Sequence, residues 1–258
     1  MPPWRCARTL SLLSMLLLLM IYSGLTRAAS SVLIWPINPQ IDAEQKAAAL
    51  RLENRGQTPI SLQVRVMAWQ QSNFADQLSP QREVVGSPPV VTIEPGKRQM
   101  IRLMKMQAPP AGAEKTYRVL VDELLPPDAK ADAALGVKFQ MRYSVPLFVF
   151  GNGVTLATAT SKPTPGIQLL QPTLRYEVQN EGGKRYLLLS NDGPAHARLA
   201  NVSVQQGGKK TPLAEGLLGY VLPGARMRWE LPASVPGSSL NLEARINELA
   251  GFQPIPSH

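Results

Sequence analysis

Apolar and polar side chains alternate along most of the chain beyond residue 30, and the alternation predicts strands. Ile60, Leu62, Val64, Val66 and Ala68 share one parity, with Gln63 and Arg65 on the other. That period of two is expected of a strand with one buried face over 60–69. The same reading gives strands over 31–36, 47–53, 84–93 (broken at Ser87-Pro88-Pro89), 99–104, 117–125 and 137–150. Turn clusters separate them: Asn54 to Pro59, the Pro-Gly pair within Glu94-Pro95-Gly96-Lys97, and Pro126-Pro127. A second set is predicted over 174–178, 185–191, 197–204, 225–231 and 240–246, with Gly182-Gly183 and Gly207-Gly208 at hairpins. Segment 73–81 reads as a loop. The Ala-rich segment 43–49 is too short for a helix and is cut off by the turn cluster. Turns recurring about every eight to twelve residues are the spacing of β-sandwiches.

Between the two sets, Gly151–Gly153 and Ser161–Gly166 bracket a segment with the composition of a connection. The chain therefore divides into residues 1–28, a first sandwich over 29–152, a linker over 153–166 and a second sandwich over 167–258. No sequence repeat relates the two halves.

Composition sharpens this picture at three points. The 24 prolines among 258 residues remove backbone donors and break helices, as an all-β chain allows. Residues 1–28 depart from the rest. Arg5 and Arg8 precede an apolar stretch from Leu10 to Tyr22, interrupted by Ser11 and Ser14, and small residues follow. This is the layout of a cleaved secretory signal, with cleavage expected after Ala28 or Ala29. The apolar run is shorter than the ~20 residues a bilayer span needs. The one cysteine, Cys6, precedes that run, so the exported part is expected to have no disulfide and no lipid anchor. The net charge of +9 falls by Arg5, Arg8 and Arg27 on cleavage. Lys97-Arg98 and Lys209-Lys210 are isolated pairs at expected hairpin ends, so the basic balance marks no nucleic-acid surface.

Catalytic constellations are missing. His196 follows Asn191-Asp192-Gly193-Pro194 and His258 is the last residue, and neither has a partner at metal-ligand spacing. No Gly-x-Ser-x-Gly surrounds a serine. Asp122 and Glu123 point to opposite faces of a strand, a poor acid–base dyad. The function expected is binding, with no enzyme activity, metal or cofactor.

One segment suggests what is bound. Val137, Phe139, Met141, Tyr143 and Val145 share one face of an unbroken alternation, with Lys138, Gln140, Arg142 and Ser144 on the other. This is either an ordinary sandwich strand with one buried face, or a strand that lends its apolar row to a partner lacking one. In the second case backbone hydrogen bonds give affinity and alternate side chains give specificity. Each large side chain buried in the partner would contribute roughly 1.5–3 kcal/mol.

Several pieces, in order along the chain, resemble the PapD-like periplasmic pilus-assembly chaperones. They are Asn54–Val66 with Thr58-Pro59, then Trp69, Ser87-Pro88-Pro89-Val90, and Ile93-Glu94-Pro95-Gly96-Lys97 with Ile101-Arg102-Leu103. Next come Tyr117-Arg118-Val119 to Glu123, the alternating strand, and Arg245-Ile246-Asn247-Glu248-Leu249-Ala250-Gly251. Ile34-Trp35-Pro36 and the run Met141 to Phe148 are most similar to the archaic, Csu-like branch.

The resemblance implies two immunoglobulin-like sandwiches set at an angle, located in the periplasm. A pilus subunit lacking its last strand would be complemented by the long strand and delivered to an outer-membrane usher. Val137, Phe139, Met141, Tyr143 and Val145 are then the expected donor residues. The resemblance also implies an ion network between the sandwiches, matched by Arg102, Glu123 and Glu248. Such a network would fix their angle more than it stabilises them, since buried charges are costly to desolvate. The two cations that anchor a subunit's terminal carboxylate in better-known members fall at Asn38 and Pro146, so neither is present. Arg118 and Arg142, on adjacent strands, are the expected substitutes, because a carboxylate favours a bidentate guanidinium.

Ser87-Pro88-Pro89 is a candidate for a cis bond by the same resemblance, and Trp69 is expected in a core. A donor strand without a client is an exposed apolar edge, so self-association of the free protein is expected. The rival readings are a secreted two-sandwich adhesin or pilus subunit, which would assemble into fibres, and a periplasmic hydrolase, which the missing His/Asp/Ser constellation disfavours.

Overall fold

The computed structural model describes residues 32–125, 140–206, 209–235, 237 and 239–258. The leader expected over 1–28 and the positions Val137 and Phe139 lie outside the described residues. The described residues form strands and turns, with no helix among them.

Ten strands build the first sandwich: β1 (Val32–Trp35), β2 (Gln40–Ile41), β3 (Ala47–Asn54), β4 (Ile60–Ser72), β5 (Ala75–Pro80), β6 (Val84–Ser87), β7 (Val90–Ile93), β8 (Arg98–Lys105), β9 (Glu114–Leu124) and β10 (Arg142–Phe150). One sheet has the order β1-β3-β8-β6. The other runs β2-β10-β9-β4-β5, with β7 also paired to β4. Their facing sides bury Leu50, Leu52, Ile101 and Leu103 against Leu62, Val64, Val119, Val121 and Leu147. The parity read along 60–66 is the parity that enters this core. The peptide bonds Trp35–Pro36 and Ser87–Pro88 are cis.

Segment 73–81, expected as a loop, is a correction. β5 occupies most of it and pairs with β4 from Ser72↔Ala75 to Met67↔Pro80. All six of its residues are exposed, so no burial imposes an apolar alternation. The hairpin is made by its turn, where Asn73 and Phe74 take φ of 52° and 60°, the left-handed geometry that matches the twist of paired strands.

The second sandwich follows with β11 (Val154–Leu156), β12 (Gln168–Leu170), β13 (Leu174–Glu181), β14 (Lys184–Asn191), β15 (Ala197–Gln206), β16 (Lys209–Pro212), β17 (Leu217–Val221), β18 (Arg226–Glu230), β19 (Asn241–Ile246) and β20 (Gln253–Ile255). β13-β14-β18 form one sheet and β16-β15-β19-β20 the other, with β17 on β15. The expected linker over 153–166 is not loose. Its β11 pairs in parallel with β12, and Val154 and Leu156 are buried with Leu170 in the second core. Apolar side chains at alternate positions gain more there than in water, and that fastens the connection.

The two halves do share a device that the sequence analysis missed. Asn54 and Asn191 are both fully buried at the end of a strand. Asn54 Nδ2 donates to Thr58 O and Ile93 O, both at 2.8 Å, and its Oδ1 accepts from Gly56 N at 2.9 Å. Asn191 Nδ2 donates to Ala195 O (2.8 Å) and Val221 O (3.0 Å), and its Oδ1 accepts from Gly193 N at 3.0 Å. Each backbone carbonyl takes the N–H of a glycine after a proline: Gly96 to Asn54 and Gly224 to Asn191, both at 2.8 Å. These glycines have φ of 68° and 69°, where a side chain would be strained. An Asn-x-Gly turn is thus bonded to a Pro-Gly turn in the same way in both sandwiches.

Candidate functional site

β10 is paired along its whole length to β9, antiparallel, from Arg142↔Asp122 to Phe150↔Glu114. On its other edge β2 pairs at Phe148 and Val149. Among the described residues, no strand pairs the stretch Arg142 to Leu147 on that edge. The direction of its backbone groups follows from two bonds. Phe148 N donates to Pro39 O at 3.3 Å on the β2 side, and Met141 O accepts from Glu123 N at 3.0 Å on the β9 side. Backbone groups alternate between edges along a strand. Arg142 and Ser144 therefore present N–H and C=O to the open edge, and Pro146 presents C=O alone. Because an N–H at 146 would face outward, the proline ring costs no bond to β9.

The side chains divide the expected donor row. Val145 is buried at 7% exposure in the first core, and Tyr143 is half-buried against it. Met141 is 45% exposed. Val145 and Tyr143 are thus corrections: the chain's own core takes them, which leaves little apolar surface for a partner. Met141 is the described member of the row that projects free.

The other parity of β10 does something different. Phe148 and Phe150, with Trp69 of β4, belong to the core of the second sandwich. Trp69 is a core residue as expected, but of the other half. Polar contacts reinforce this seam. Gln71 donates from Nε2 to Tyr220 O (3.0 Å) and accepts at Oε1 from Leu222 N (2.9 Å). Thr155 Oγ1 donates to Asp42 Oδ1 at 3.0 Å. A cleft of about 670 Å³ opens beside it, lined in part by Trp69, Gln71, Glu83, Glu114 and Tyr117. Hydrogen bonds from Lys115 and Tyr117 hold the Glu83 carboxyl below its ordinary range, against a smaller opposing effect of burial.

The structure does not bring Arg102, Glu123 and Glu248 together. Arg102 is exposed on β8 between the core residues Ile101 and Leu103, so strand parity turns it to solvent. Its sheet supplies no residue to the second core. Glu123 Oε2 accepts from Met141 N at 3.4 Å, and Glu248 Oε1 accepts from Asn38 Nδ2 at 3.2 Å. None of the three joins an ion pair among the described residues. The ionisable pair that does cross the seam is Glu114 with His196. The Glu114 side chain is fully buried and that of His196 is 3% exposed. Nδ1 of His196 lies 3.0 Å from both carboxylate oxygens, and its backbone N donates to them at 3.2 and 3.3 Å. The imidazole stacks on Phe148 with centroids 3.4 Å apart and planes 2° apart. Spacing cannot reveal a pair so far apart in the chain.

Arg118 and Arg142 share the outer face of β9 and β10 but do not form one site. Arg142 pairs with Asp122, its neighbour in register, and Asp122 stands four residues from Arg118, about 13 Å along the strand. Arg65 also holds Asp122, at 2.7 Å. Burial raises the Asp122 carboxyl, but hydrogen bonds from Arg142 and Arg65 outweigh it and keep the group below its ordinary value. Arg118 instead lies directly opposite Pro146. Its guanidinium sits 3.6 Å from the centroid of Trp69 and 5.2 Å from that of Tyr220, with Asp76 at 3.4 Å. It is therefore a positioned cation at the seam, one strand over from Pro146.

Among the described residues no group of His, Cys, Asp and Glu is arranged to hold a metal ion.

Residues 39–154 match the family described as pili and flagellar-assembly chaperone, PapD N-terminal domain. No curated protein matches the chain. Among solved structures, it is similar to the CsuC–CsuE chaperone–tip adhesion subunit pre-assembly complex from archaic chaperone-usher Csu pili of Acinetobacter baumannii. There the identity is 32%, 88% of this chain and 99% of that chain are covered, and the TM-score is 0.68. The SafB chaperone complex with SafA pilin of Salmonella enterica matches at 22% identity and a TM-score of 0.59, covering 88% of this chain and 96% of the other. The CupB2 chaperone of Pseudomonas aeruginosa matches at 18% and 0.54, covering 86% and 97%. These last two show the shared fold. With 32% identity sustained over nearly the whole of both chains in the first comparison, and the family match spanning the sandwich that carries β10, the chain belongs to the PapD-like pilus-assembly chaperones.

Proposed function

We propose that the protein is a periplasmic chaperone that binds pilus subunits by lending them the open edge of β10 and passes them to an outer-membrane usher. The observation that carries this reading is the stretch from Met141 to Pro146. Its backbone groups at Arg142 and Ser144 face outward with no strand partner among the described residues, and in sequence it continues an apolar row upstream through Phe139 and Val137. A subunit sandwich missing one strand would gain ladder hydrogen bonds from the outward groups. Its core would gain the side chains of Val137, Phe139 and Met141. The complex of CsuC with a tip adhesion subunit supports this choice of partner, and the basic, apolar and small layout of residues 1–28 supports export. The subunit's terminal carboxylate would be anchored by Arg118, already oriented by Trp69 and Tyr220. Without a client, a second copy of the chain would cover the same edge.

The test is a pull-down of the tagged full chain from the periplasm of its native host, with intact-mass analysis of what is held. A small exported partner is expected with the unaltered protein and lost with the Phe139→Asp, Met141→Asp double variant. Arg118→Ala should weaken capture while leaving the fold intact. A partner held equally by all three proteins would move the binding site away from β10. Assembly of the purified protein into fibres would favour a pilus subunit or adhesin instead.

A further inference from the structure

The seam between the sandwiches contains a titratable pair in an unusual setting. Glu114 begins β9, and its carboxylate is fully out of water. Among the described residues the imidazole of His196 is the one basic side chain within 4.0 Å of it. The other charged groups nearby are engaged elsewhere or stand apart. Glu83 and Lys115, on the cleft side, pair with each other, and Tyr117 donates to Glu83 at 2.6 Å. On the opposite side a small cavity of about 140 Å³ is lined by His196 and Phe148 together with Arg198 and Glu248. Glu248 there is bonded by Asn38. Tyr220 has its ring 6.4 Å from the imidazole. The backbone of His196 is held as well, its carbonyl accepting from Asn247 Nδ2 at 2.9 Å. The imidazole therefore has one charged partner, one stacking partner in Phe148, and a cavity that gives solvent protons a route to it.

We propose that the Glu114–His196 pair is a proton-controlled latch that sets how firmly the second sandwich is held against the root of β10. With the imidazole protonated, the two buried charges compensate each other. Removal of that proton leaves a buried carboxylate facing a neutral ring, where an uncompensated charge is costly. The contribution is present while the imidazole is protonated and is lost as pH rises through its titration. Phe148 ties this event to function, because it stacks on His196 and stands in β10 beside Pro146 and the open edge. The latch makes no use of the subunit, so it stands or falls apart from the binding reading.

The chain has only two histidines, so proton NMR of the His ring signals can follow each one. His196 is assigned by its absence in His196→Gln. Over a scan from about pH 5 to about pH 8, the His196 signal of the unaltered protein is expected to move, with the melting temperature falling by roughly 5 °C. His196→Gln and Glu114→Gln should each flatten that fall while keeping a side chain that can hydrogen-bond. A His196 signal that does not move over this range overturns the latch, even if neither variant folds. An equal pH dependence of melting in the unaltered and variant proteins overturns it too.

Discussion

Along β10 one alternating pattern meets two different surroundings. From Leu147 to Phe150 both faces are covered: Leu147 and Val149 lie in the first core, Phe148 and Phe150 in the second. From Val145 back to Met141 the cover falls away, from 7% to 45% exposure, and the free edge begins. The C-terminal half of the strand is thus the root that joins two sandwiches. The N-terminal half is the part a partner can reach. A donated strand needs both, because an edge that moved with its own domain could not offer a fixed register to a client.

The sharpest way to break this comparison is at the root. Phe148→Ala removes a ring packed between Trp69, Tyr220 and His196, and large-to-small changes at such sites cost about 3–5 kcal/mol. Urea denaturation should report that loss as a lower midpoint. A cost below about 1 kcal/mol would mean that the two sandwiches do not depend on this seam.

A smaller contrast lies within the proposed donor row. Val145→Ala should cost about 2 kcal/mol, from two buried methyl groups and the space they leave. Met141→Ala should stay within about 0.5 kcal/mol, as exposed substitutions do. Equal costs would mean that the two positions share one environment, and the division between core and donor residues would fail.

That division shows what was legible in the residues and what was not. The alternation over 137–150 announced the strand found at Arg142–Phe150, and the one over 60–66 announced which face is buried. Neither says where a core ends, so Tyr143 and Val145 could not be separated from Met141 by pattern. Trp69 read as core, but the pattern could not assign it to the other sandwich. β5 left no pattern because nothing buries it. The twin corners were written in plain sight as Asn54-Arg55-Gly56 with Pro95-Gly96, and as Asn191-Asp192-Gly193 with Pro223-Gly224. They went unseen because a turn cluster does not reveal a buried amide. The Arg102, Glu123 and Glu248 set came from resemblance alone. It failed where strand parity overruled it, since Arg102 follows Ile101 outward. Arg118 could be read as a strand cation, but its place opposite Pro146 depends on register, which only pairing fixes.

A milder probe acts on the start of β10. Asp122→Asn removes the anion that holds both Arg142 and Arg65. Both guanidiniums are well exposed, so the cost should be only roughly 0.5–1 kcal/mol. Its pH signature is distinctive. The folded Asp122 carboxyl titrates below its ordinary value, so its contribution is present above the unfolded value and lost as pH falls through the folded one. Acid titration of stability should therefore show a loss in the unaltered protein that Asp122→Asn lacks. Parallel acid profiles would mean that Asp122 does not anchor the strand.

The most specific test of the open edge reads one amide rather than global stability. Pro146→Ala gives up the packing of a buried ring as well as the stiffness that proline lends the unfolded chain. The substitution also places an N–H at 146. If the alternation inferred from Phe148 and Met141 is right, that N–H points away from β9 and finds no partner in the free protein. Its hydrogen exchange should be fast, while the amides at 145 and 147, which face β9, stay protected. Binding of a subunit along this edge would then slow exchange at 146 and add a ladder bond of about 1 kcal/mol. A slowly exchanging amide at 146 in the free monomer would place a covering segment on the edge, and the strand could not be donated without first displacing it.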